Sequence, residues 1–185
     1  MIYTETWAFI HIPKTSGYNF RKNALATLPN VKQPYDLDNP NPKIYRMAHN
    51  PYWYFEDLIL DKYVFSIVRN PYSRMVSYYK IAKRLGGSYT ETMETWFNHK
   101  PEPNRLWNHR TTQKQFLTAR DGSVVPNTFR MESDLHLLEK RLGFEFTHTK
   151  MNASPEAYDW KDYMTPYIKS EIERIFKDDF ELFSY

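Results

Sequence analysis

The residues best suited to binding or catalysis lie in a short loop, Pro13-Lys14-Thr15-Ser16-Gly17. The loop follows an apolar run, Trp7 to Ile12, and precedes an amphipathic segment with Phe20 and Leu28 at helical spacing. A strand that ends in a lysine and hydroxyl side chains and leads into a helix is the plan of an anion-binding loop. N–H groups at a helix N-terminus point at an anion, and the helix dipole adds to the attraction. The alternative is a strand–helix turn that carries a lysine and a serine by chance.

A second chemically equipped stretch follows the strongest predicted strand, Lys62 to Val68, which is almost continuously apolar, as a strand buried on both faces should be. The strand ends at Arg69, and Ser77 follows within a predicted helix, Tyr72 to Leu85. Ligands of open α/β sheets bind outside the carboxyl ends of the strands, so Arg69 is expected beside the Lys14 loop if the strands are neighbours. Arginine can hold a phosphate through two parallel bonds, and a serine hydroxyl can add another. The alternatives are that Arg69 caps a helix or pairs with a carboxylate, and that Ser77 only packs.

The elements that must position these two loops indicate an α/β fold. Two strand–loop–helix units favour a parallel central sheet. The remaining segments carry weaker signals, and Gln113 to Thr118 is ambiguous between helix and strand. Other elements are predicted as short strands at Lys43 to Ala48 and Val124 to Met131, helices at Tyr52 to Leu60, Thr90 to Asn98 and Asp134 to Leu142, helix starts at Ser154-Pro155 and Thr165-Pro166, and a loop from Lys100 to Arg110.

Length and composition limit the class of protein. The chain has 185 residues, 41% hydrophobic and 25% charged, which predicts one soluble domain spanning residues 1–185. The net charge of +3 is too small to argue for nucleic acid. Absence of cysteine, of a long apolar run and of a secretory leader predicts a cytoplasmic protein without a membrane span.

Two familiar nucleotide-binding patterns are missing. The sequence Gly-x-x-x-x-Gly-Lys-Ser/Thr appears nowhere, and Lys14 precedes the only nearby glycine, Gly17. An ordinary nucleoside-triphosphate enzyme is therefore disfavoured. A Rossmann dehydrogenase is disfavoured too, because it needs its own glycine pattern. Two anion-binding strand ends instead imply a ligand with two separated anionic groups.

The segment Ile12-Pro-Lys-Thr-Ser-Gly-Tyr-Asn-Phe-Arg21 resembles the 5′-phosphosulfate loop of the Golgi-type carbohydrate sulfotransferases, where Pro-Lys-Thr-(small)-(Gly/Ser)-Thr-Ser-Phe is usual. Ile67-Val-Arg-Asn-Pro-Tyr-Ser-Arg-Met-Val-Ser-Tyr-Tyr79 is similar to the family's 3′-phosphate segment, in which an Arg and a Ser hold that phosphate. The closing Asp179-Phe180-x-x-Phe183-x-Tyr185 also resembles the end of the family's domain. Tyr18-Asn19 stand where the family usually has Thr-Ser.

The resemblance to this family, which includes the heparan sulfate 2-O-sulfotransferases, implies a three-layer α/β/α fold like that of the P-loop NTPases. It implies 3′-phosphoadenylyl sulfate (PAPS) as co-substrate, without a metal. Arg69 and Ser77 would hold the 3′-phosphate, and Lys14 would also act in catalysis. The 5′-phosphosulfate loop would comprise Pro13, Lys14, Thr15, Ser16, Gly17, Tyr18 and Asn19, with its backbone doing more of the holding because Tyr18-Asn19 replace hydroxyls.

His49 is the expected general base, because imidazole titrates near neutral pH and relatives resembling the heparan and dermatan 2-O-sulfotransferases carry a histidine base between the two loops. The alternative is that His49 is only a turn residue. His11 is the second candidate, although its place inside a strand favours a structural role, and Glu56 or Asp57 could also serve. His99, His109, His136 and His148 show no metal-ligand spacing.

Three further segments invite weaker interpretations. Arg130 and Glu132 follow a short strand and could form a buried ion pair. The rings Tyr52, Trp53 and Tyr54 would stack on an acceptor sugar or belong to the core. Asn152-Ala-Ser154 is similar to a family segment near the nucleotide, or Ser154 caps a helix.

The sequence therefore predicts a PAPS-dependent sulfotransferase that acts on a hydroxyl of an acceptor, expected to be a carbohydrate. Two alternatives stay open: a sulfotransferase-like module that binds a nucleotide or glycan without catalysis, and an atypical P-loop phosphotransferase. A compact, cysteine-free chain without an anchor indicates a bacterial or viral protein. The acceptor and the oligomeric state are left open.

Overall fold

A computed structural model describes residues 1–34, 48–87, 89–99, 108–145 and 158–185. Within these ranges the strands form one sheet in the order β1-β2-β3-β4. The antiparallel edge strand β1 precedes β2, and β2, β3 and β4 run parallel to one another. The two loop-bearing strands are thus neighbours, which is the condition for Arg69 to lie beside the Lys14 loop. The strands are β1 Ile2–Tyr3, β2 Trp7–Ile10, β3 Tyr63–Val68 and β4 Asn127–Arg130.

Within the described ranges the predicted helices are present, but several of them begin or end at other residues than predicted. They are α1 Gly17–Thr27, α2 Tyr52–Ile59, α3 Pro71–Arg84, α4 Met93–Asn98, α5 Gln113–Leu117, α6 Leu135–Leu142, a 3₁₀ helix Trp160–Tyr163, α7 Pro166–Ile175 and α8 Lys177–Phe183. The ambiguous segment is helical (α5), and the last predicted helix is two helices that meet at Phe176. All but the last residue of the predicted strand Lys43 to Ala48 and most of the predicted loop Lys100 to Arg110 lie outside the described residues, as do Asn152-Ala-Ser154 and the helix start Ser154-Pro155.

Alternate residues of the central strands enter two different cores. Ala8 and Ile10 of β2 join a buried cluster that contains Phe55 of α2 and Phe116 of α5. Phe9 instead joins a second cluster, with residues of α1 and α6. Because successive side chains of a strand point to opposite faces, helices cover both faces of β2. The mixed α/β class is thus confirmed, whereas the complete three-layer, P-loop-like arrangement stays a prediction.

A third buried cluster joins α3 to α4 and α7. The sequence predicts that Met75, Val76, Tyr79 and Leu85 supply much of the apolar face of this helix. The first three are buried in the cluster, but Leu85 lies beyond the helix end and is 75% exposed. The prediction that Leu85 belongs to this face is wrong, since the helix ends at Arg84 before another turn can return it to the core.

Two Asn-Pro pairs behave differently at helix starts. Asn70 caps α3: its side chain accepts the N–H groups of Tyr72 and Ser73, and Pro71 is the first helical residue. The Asn50-Pro51 pair predicts the same arrangement for α2. This prediction is wrong, because the cap position falls on Pro51 and no side-chain cap bond is made. The Asn70 cap matters for the site, because it fixes the direction in which the chain leaves Arg69.

Candidate active site

The carboxyl ends of β2 and β3 bring Lys14 and Arg69 together. Nη1 of Arg69 donates a hydrogen bond to the carbonyl of Lys14 at 3.2 Å, across 55 positions of sequence. The parallel pairing of Trp7 with Tyr63 through Ile10 with Ser66 places both strand ends at the same edge. The two basic loops singled out from the sequence therefore form one site.

The loop between β2 and α1 has an unusual backbone. Lys14 and Ser16 both adopt positive φ, 69° and 66°, a conformation that costs energy for residues other than glycine. Ser16 begins α1 without a side-chain cap bond. Thr15 is fully buried, and its hydroxyl donates to the carbonyl of Ile12 at 2.9 Å. The threonine hydroxyl thus holds the loop in shape at the start of α1. The first N–H groups of a helix are a common binding place for anions.

Position 17 needs a glycine because the side chain of His11 lies close to its backbone. A Cβ at this position would lie 2.7 Å from Nε2 of His11 and would overlap the rest of that ring. His11 is buried at the end of β2, and its Nδ1 has no hydrogen-bond partner. The glycine of the motif therefore makes room for a histidine ring packed under the loop.

The other residues of the predicted phosphosulfate loop, Pro13, Tyr18 and Asn19, contact neighbouring residues of the protein. Pro13 is buried and its carbonyl accepts a bond from Arg74 Nε at 3.2 Å. The ring of Tyr18 lies against the guanidinium of Arg21, with its centroid 5.4 Å from Cζ. Asn19 is buried and accepts two hydrogen bonds from Nδ2 of Asn23. Tyr18 and Asn19 are thus engaged within α1.

No carboxylate of the described residues pairs with the positive charges of Lys14 and Arg69. Lys14 and Arg69 form no ion pair with any of the residues that the structure describes. Burial, with the nearby Arg69 and Arg84 charges, lowers the pKa of Lys14 to about 8. Nε of Arg69 is buried without a hydrogen-bond partner. Buried, unpaired cations are costly, so the arrangement favours an anionic ligand.

Arg69 is fixed through its own backbone. Its N–H donates to Oε1 of Gln113, and Nε2 of Gln113 donates back to its carbonyl, both at 2.8 Å. The N–H groups of Gln113 and Lys114 in turn donate to the carboxylate of Asp179 at 2.8 and 2.9 Å. A contact chain from Asp179 through Gln113 therefore orients the arginine. Ser77 lies on α3, half-buried.

Arg74, which the sequence reasoning missed, is completely buried between the site and the third cluster. It donates from Nε to Pro13 and from Nη1 to the carbonyl of Thr111 at 3.1 Å. Its guanidinium lies 5.8 Å from the ring centroid of Phe116. Arg74 thus ties the Lys14 loop to α3. Its position five residues after Arg69 in a helical segment did not distinguish it from an exposed arginine.

His49, the predicted base, lies against His11. Their ring centroids are 4.2 Å apart, and Nδ1 of His49 is 3.2 Å from the carbonyl of His11. Burial, together with positive charges that include Arg21 and Lys14, lowers the pKa of His49 to about 3. The near-neutral pKa expected from the sequence is therefore wrong, because that expectation assumed a solvated ring. Burial also lowers the pKa of His11.

The alternative carboxylate bases are engaged elsewhere. Glu56 accepts the N–H of Arg120 at 3.0 Å, and Asp57 pairs with Nη1 of Arg120 at 2.6 Å. On the same helix, Tyr52 packs against a core cluster, whereas Trp53 and Tyr54 are exposed. Both carboxylates are thus engaged by Arg120.

The predicted pair of Arg130 with Glu132 is wrong. Nε of Arg130 binds Asp134 at 3.0 Å, four residues on, at the start of α6. Glu132 instead accepts the N–H of Asn70 at 3.0 Å and the hydroxyl of Tyr185 at 2.8 Å. Glu132 thus supports the chain just after Arg69.

Two further findings concern the residues that the structure describes. None of their helices has the length and apolar character needed to cross a membrane. No group of three or more of their His, Asp or Glu side chains is arranged to hold a metal ion.

The parallel strand ends, the strained lysine loop and Arg69, which has no ion pair among the described residues, form a candidate anion site at the edge of the sheet of an α/β protein. Comparison with known proteins gives the family: the model described as the sulfotransferase family matches residues 4–138, a range that contains both basic loops and His49. No curated protein and no solved structure matches significantly. The chain belongs to the sulfotransferase family, a membership that supports sulfuryl transfer as its class of reaction.

Proposed function

We propose that this protein transfers the sulfuryl group of PAPS to a hydroxyl of an acceptor, and that the acceptor is a carbohydrate. The observation that carries the proposal is the contact between Arg69 and the Lys14 loop. Two cationic strand ends, unpaired with carboxylates of the described residues, suit a ligand with two separated anionic groups. PAPS carries a 3′-phosphate and a 5′-phosphosulfate, so each loop has one group to bind.

The donor loop acts by stabilising charge. In an in-line displacement the acceptor oxygen bonds to sulfur while the bond from sulfur to the 5′-phosphate oxygen breaks, and negative charge grows on that oxygen. We expect Lys14 and the N–H groups at the start of α1 to stabilise this charge more strongly in the transition state than in the ground state. The partial burial of Lys14 strengthens the effect, because the interaction is less screened.

The acceptor hydroxyl must lose its proton, and His49 is proposed to take it. The carbonyl of His11 can only accept, so Nδ1 of His49 carries the hydrogen of their bond. In the neutral imidazole, Nε2 then holds the lone pair that a base needs. The proton passes from the acceptor hydroxyl to Nε2, and the product 3′,5′-bisphosphate (PAP) leaves.

The proposal is tested by sulfate transfer and by calorimetry. Purified protein incubated with PAPS and a panel of glycans is expected to form sulfated product. PAP is expected to bind more tightly than ATP. Arg69→Ala is expected to weaken PAP binding by about 2 kcal/mol, the size of a lost charged hydrogen bond.

Each alternative from the sequence has its own outcome in these experiments. PAP binding without transfer to any acceptor would indicate a non-catalytic binding module. Tighter binding of ATP than of PAP would overturn the donor assignment and favour an atypical phosphotransferase.

A further inference from the structure

We propose that Lys80 and Tyr158 extend the 3′-phosphate site beyond Arg69 and Ser77, and that they set the preference for a 3′-phosphorylated nucleotide. This inference rests on the proposed function, because it presupposes a nucleotide donor held by Arg69. It adds one residue from the middle of α3 and one that precedes the 3₁₀ helix Trp160–Tyr163.

Tyr158 joins the two positive side chains. Its hydroxyl oxygen accepts a hydrogen bond from Nη2 of Arg69 at 3.3 Å, across 89 positions of sequence. The ammonium of Lys80 lies 4.3 Å from the centroid of the same ring, within the range of a cation–π contact. Arg69 and Lys80 are therefore neighbours around one phenol.

The geometry of α3 places Lys80 with Ser77. Residues three apart on a helix lie on the same face, and Lys80 follows Ser77 by that interval. Because the end of Lys80 contacts Tyr158 and Tyr158 contacts Arg69, the face that carries Ser77 is directed toward Arg69. The lysine of α3 and the arginine from the end of β3 thus meet at Tyr158, and Ser77 lies on the face of α3 that carries the lysine.

The charges and donors of this group match a phosphate monoester. Neither Lys80 nor Arg69 forms an ion pair within the part of the chain that the structure describes, and Nε of Arg69 is buried without a partner. A phosphate monoester carries a charge near −2 at neutral pH, which two cations would balance. Since the oxygen of Tyr158 already accepts from Arg69, its own proton is available for a phosphate oxygen.

A purely structural role is the competing explanation. The ring of Tyr158 also contacts Tyr163, with the centroids 6.0 Å apart, so Lys80 and Tyr158 could serve only to hold the segment around the 3₁₀ helix. A structural role would change the affinity for every nucleotide alike, or for none. A phosphate-binding role changes it only when the 3′-phosphate is present.

The experiment compares PAP with adenosine 5′-monophosphate, which lacks the 3′-phosphate, by calorimetry on the full chain. The variants are Lys80→Met, which keeps the aliphatic stem, and Tyr158→Phe, which keeps the ring. Lys83→Met is the matched lysine control, since Lys83 lies on the same helix with its ammonium 6.0 Å from the ring centroid of Tyr79. Tyr163→Phe is the matched tyrosine control. The melting temperature of each variant verifies folding.

We expect Lys80→Met to raise the Kd for PAP about tenfold and Tyr158→Phe to raise it about threefold, as for loss of a charged or a neutral hydrogen bond to phosphate. The Kd for adenosine 5′-monophosphate and both control variants should not change. An unchanged Kd for PAP in both variants, or equal losses for the two nucleotides, would overturn the inference. A wild-type protein that binds the two nucleotides equally would instead contradict the proposed function, because no 3′-phosphate site would then exist.

Discussion

Nδ1 of His49 donates a hydrogen bond to the carbonyl of His11 at 3.2 Å, and this contact determines which nitrogen of the proposed base keeps its lone pair. A free imidazole exchanges its proton between two nitrogens. Held by the carbonyl, the neutral ring keeps Nε2 unprotonated, and the pKa of about 3 means that it is neutral at every physiological pH. The ring is oriented by the strand that also carries the Lys14 loop, so base and donor loop keep a fixed relation.

Replacement of His49 by alanine is expected to lower kcat by about 10²- to 10⁴-fold, the usual contribution of a positioned base, and to leave the Kd for PAP unchanged. Because the pKa of His49 lies near 3 in the free protein, kcat/KM of the wild type should show no loss from protonation of this ring near pH 6.5. His136→Ala, at an exposed histidine of α6, serves as control. Normal turnover of His49→Ala at every pH would require another base.

The pKa of Lys14 predicts an alkaline limit for donor binding. The ammonium is charged below pH 8 and loses its proton as pH rises through about 8, well before an ordinary lysine does. We therefore expect kcat/KM for PAPS to fall above pH 8. Lys14→Arg, which stays charged at these pH values, should lose turnover at pH 7 through altered geometry but should lack this alkaline fall. If kcat/KM of the arginine variant falls with the same midpoint, a group other than Lys14 causes the alkaline fall.

Gly17→Ala should destabilise the fold through His11. Alanine gains about 1 kcal/mol over glycine within a helix, but the overlap of its Cβ with the buried His11 ring outweighs that gain. We expect a net loss of about 1–2 kcal/mol in the free energy of unfolding, in the range of overpacked cores, and weaker PAP binding. Denaturant titration in wild-type and His11→Ala backgrounds tests the cause, because the smaller residue frees the space. An equal cost in both backgrounds would refute it.

Arg74→Met should disturb the proposed PAPS site, although Arg74 is not one of the residues proposed to bind PAPS. The variant loses the hydrogen bonds to Pro13 and Thr111 and leaves both carbonyls without that donor. We expect the free energy of unfolding to fall by about 2–3 kcal/mol and the Kd for PAP to rise. Arg174→Met is the control, since Arg174 makes only an exposed pair with Glu171, which is worth little. Equal stability of the two variants would show that Arg74 does not hold the loop.

The sequence predicts the parts of this molecule that depend on local pattern. The apolar run ending at Val68 identifies a buried strand, and the order of strand, loop and helix places Lys14 and Arg69 at one edge. Contacts between distant positions leave no such pattern. The bond from Arg69 to Tyr158 spans 89 positions and that from Gln113 to Asp179 spans 66, and nothing in the local composition indicates either.

The same limit explains the errors in chemistry. The pKa of His49 is set by burial and by charges brought from other elements, which a reading along the chain cannot supply. Arg130 pairs with Asp134 because α6 begins there and presents the carboxylate one turn away. Glu132 and Asp134 both follow Arg130 closely in the sequence, but the sequence does not show the backbone turn that selects Asp134.

The bonds from Asp179 to Gln113 and from Gln113 to Arg69 make α8 part of the same cooperative unit as the nucleotide site. A ligand that binds Arg69 should therefore slow amide hydrogen exchange at Gln113 and in α8 as well as in the loops it touches, because opening of any of these contacts releases the arginine. Protection confined to the Lys14 loop would show that α8 opens independently. If α8 is protected as well, this helix reports the binding of a ligand at Arg69 through Asp179 and Gln113.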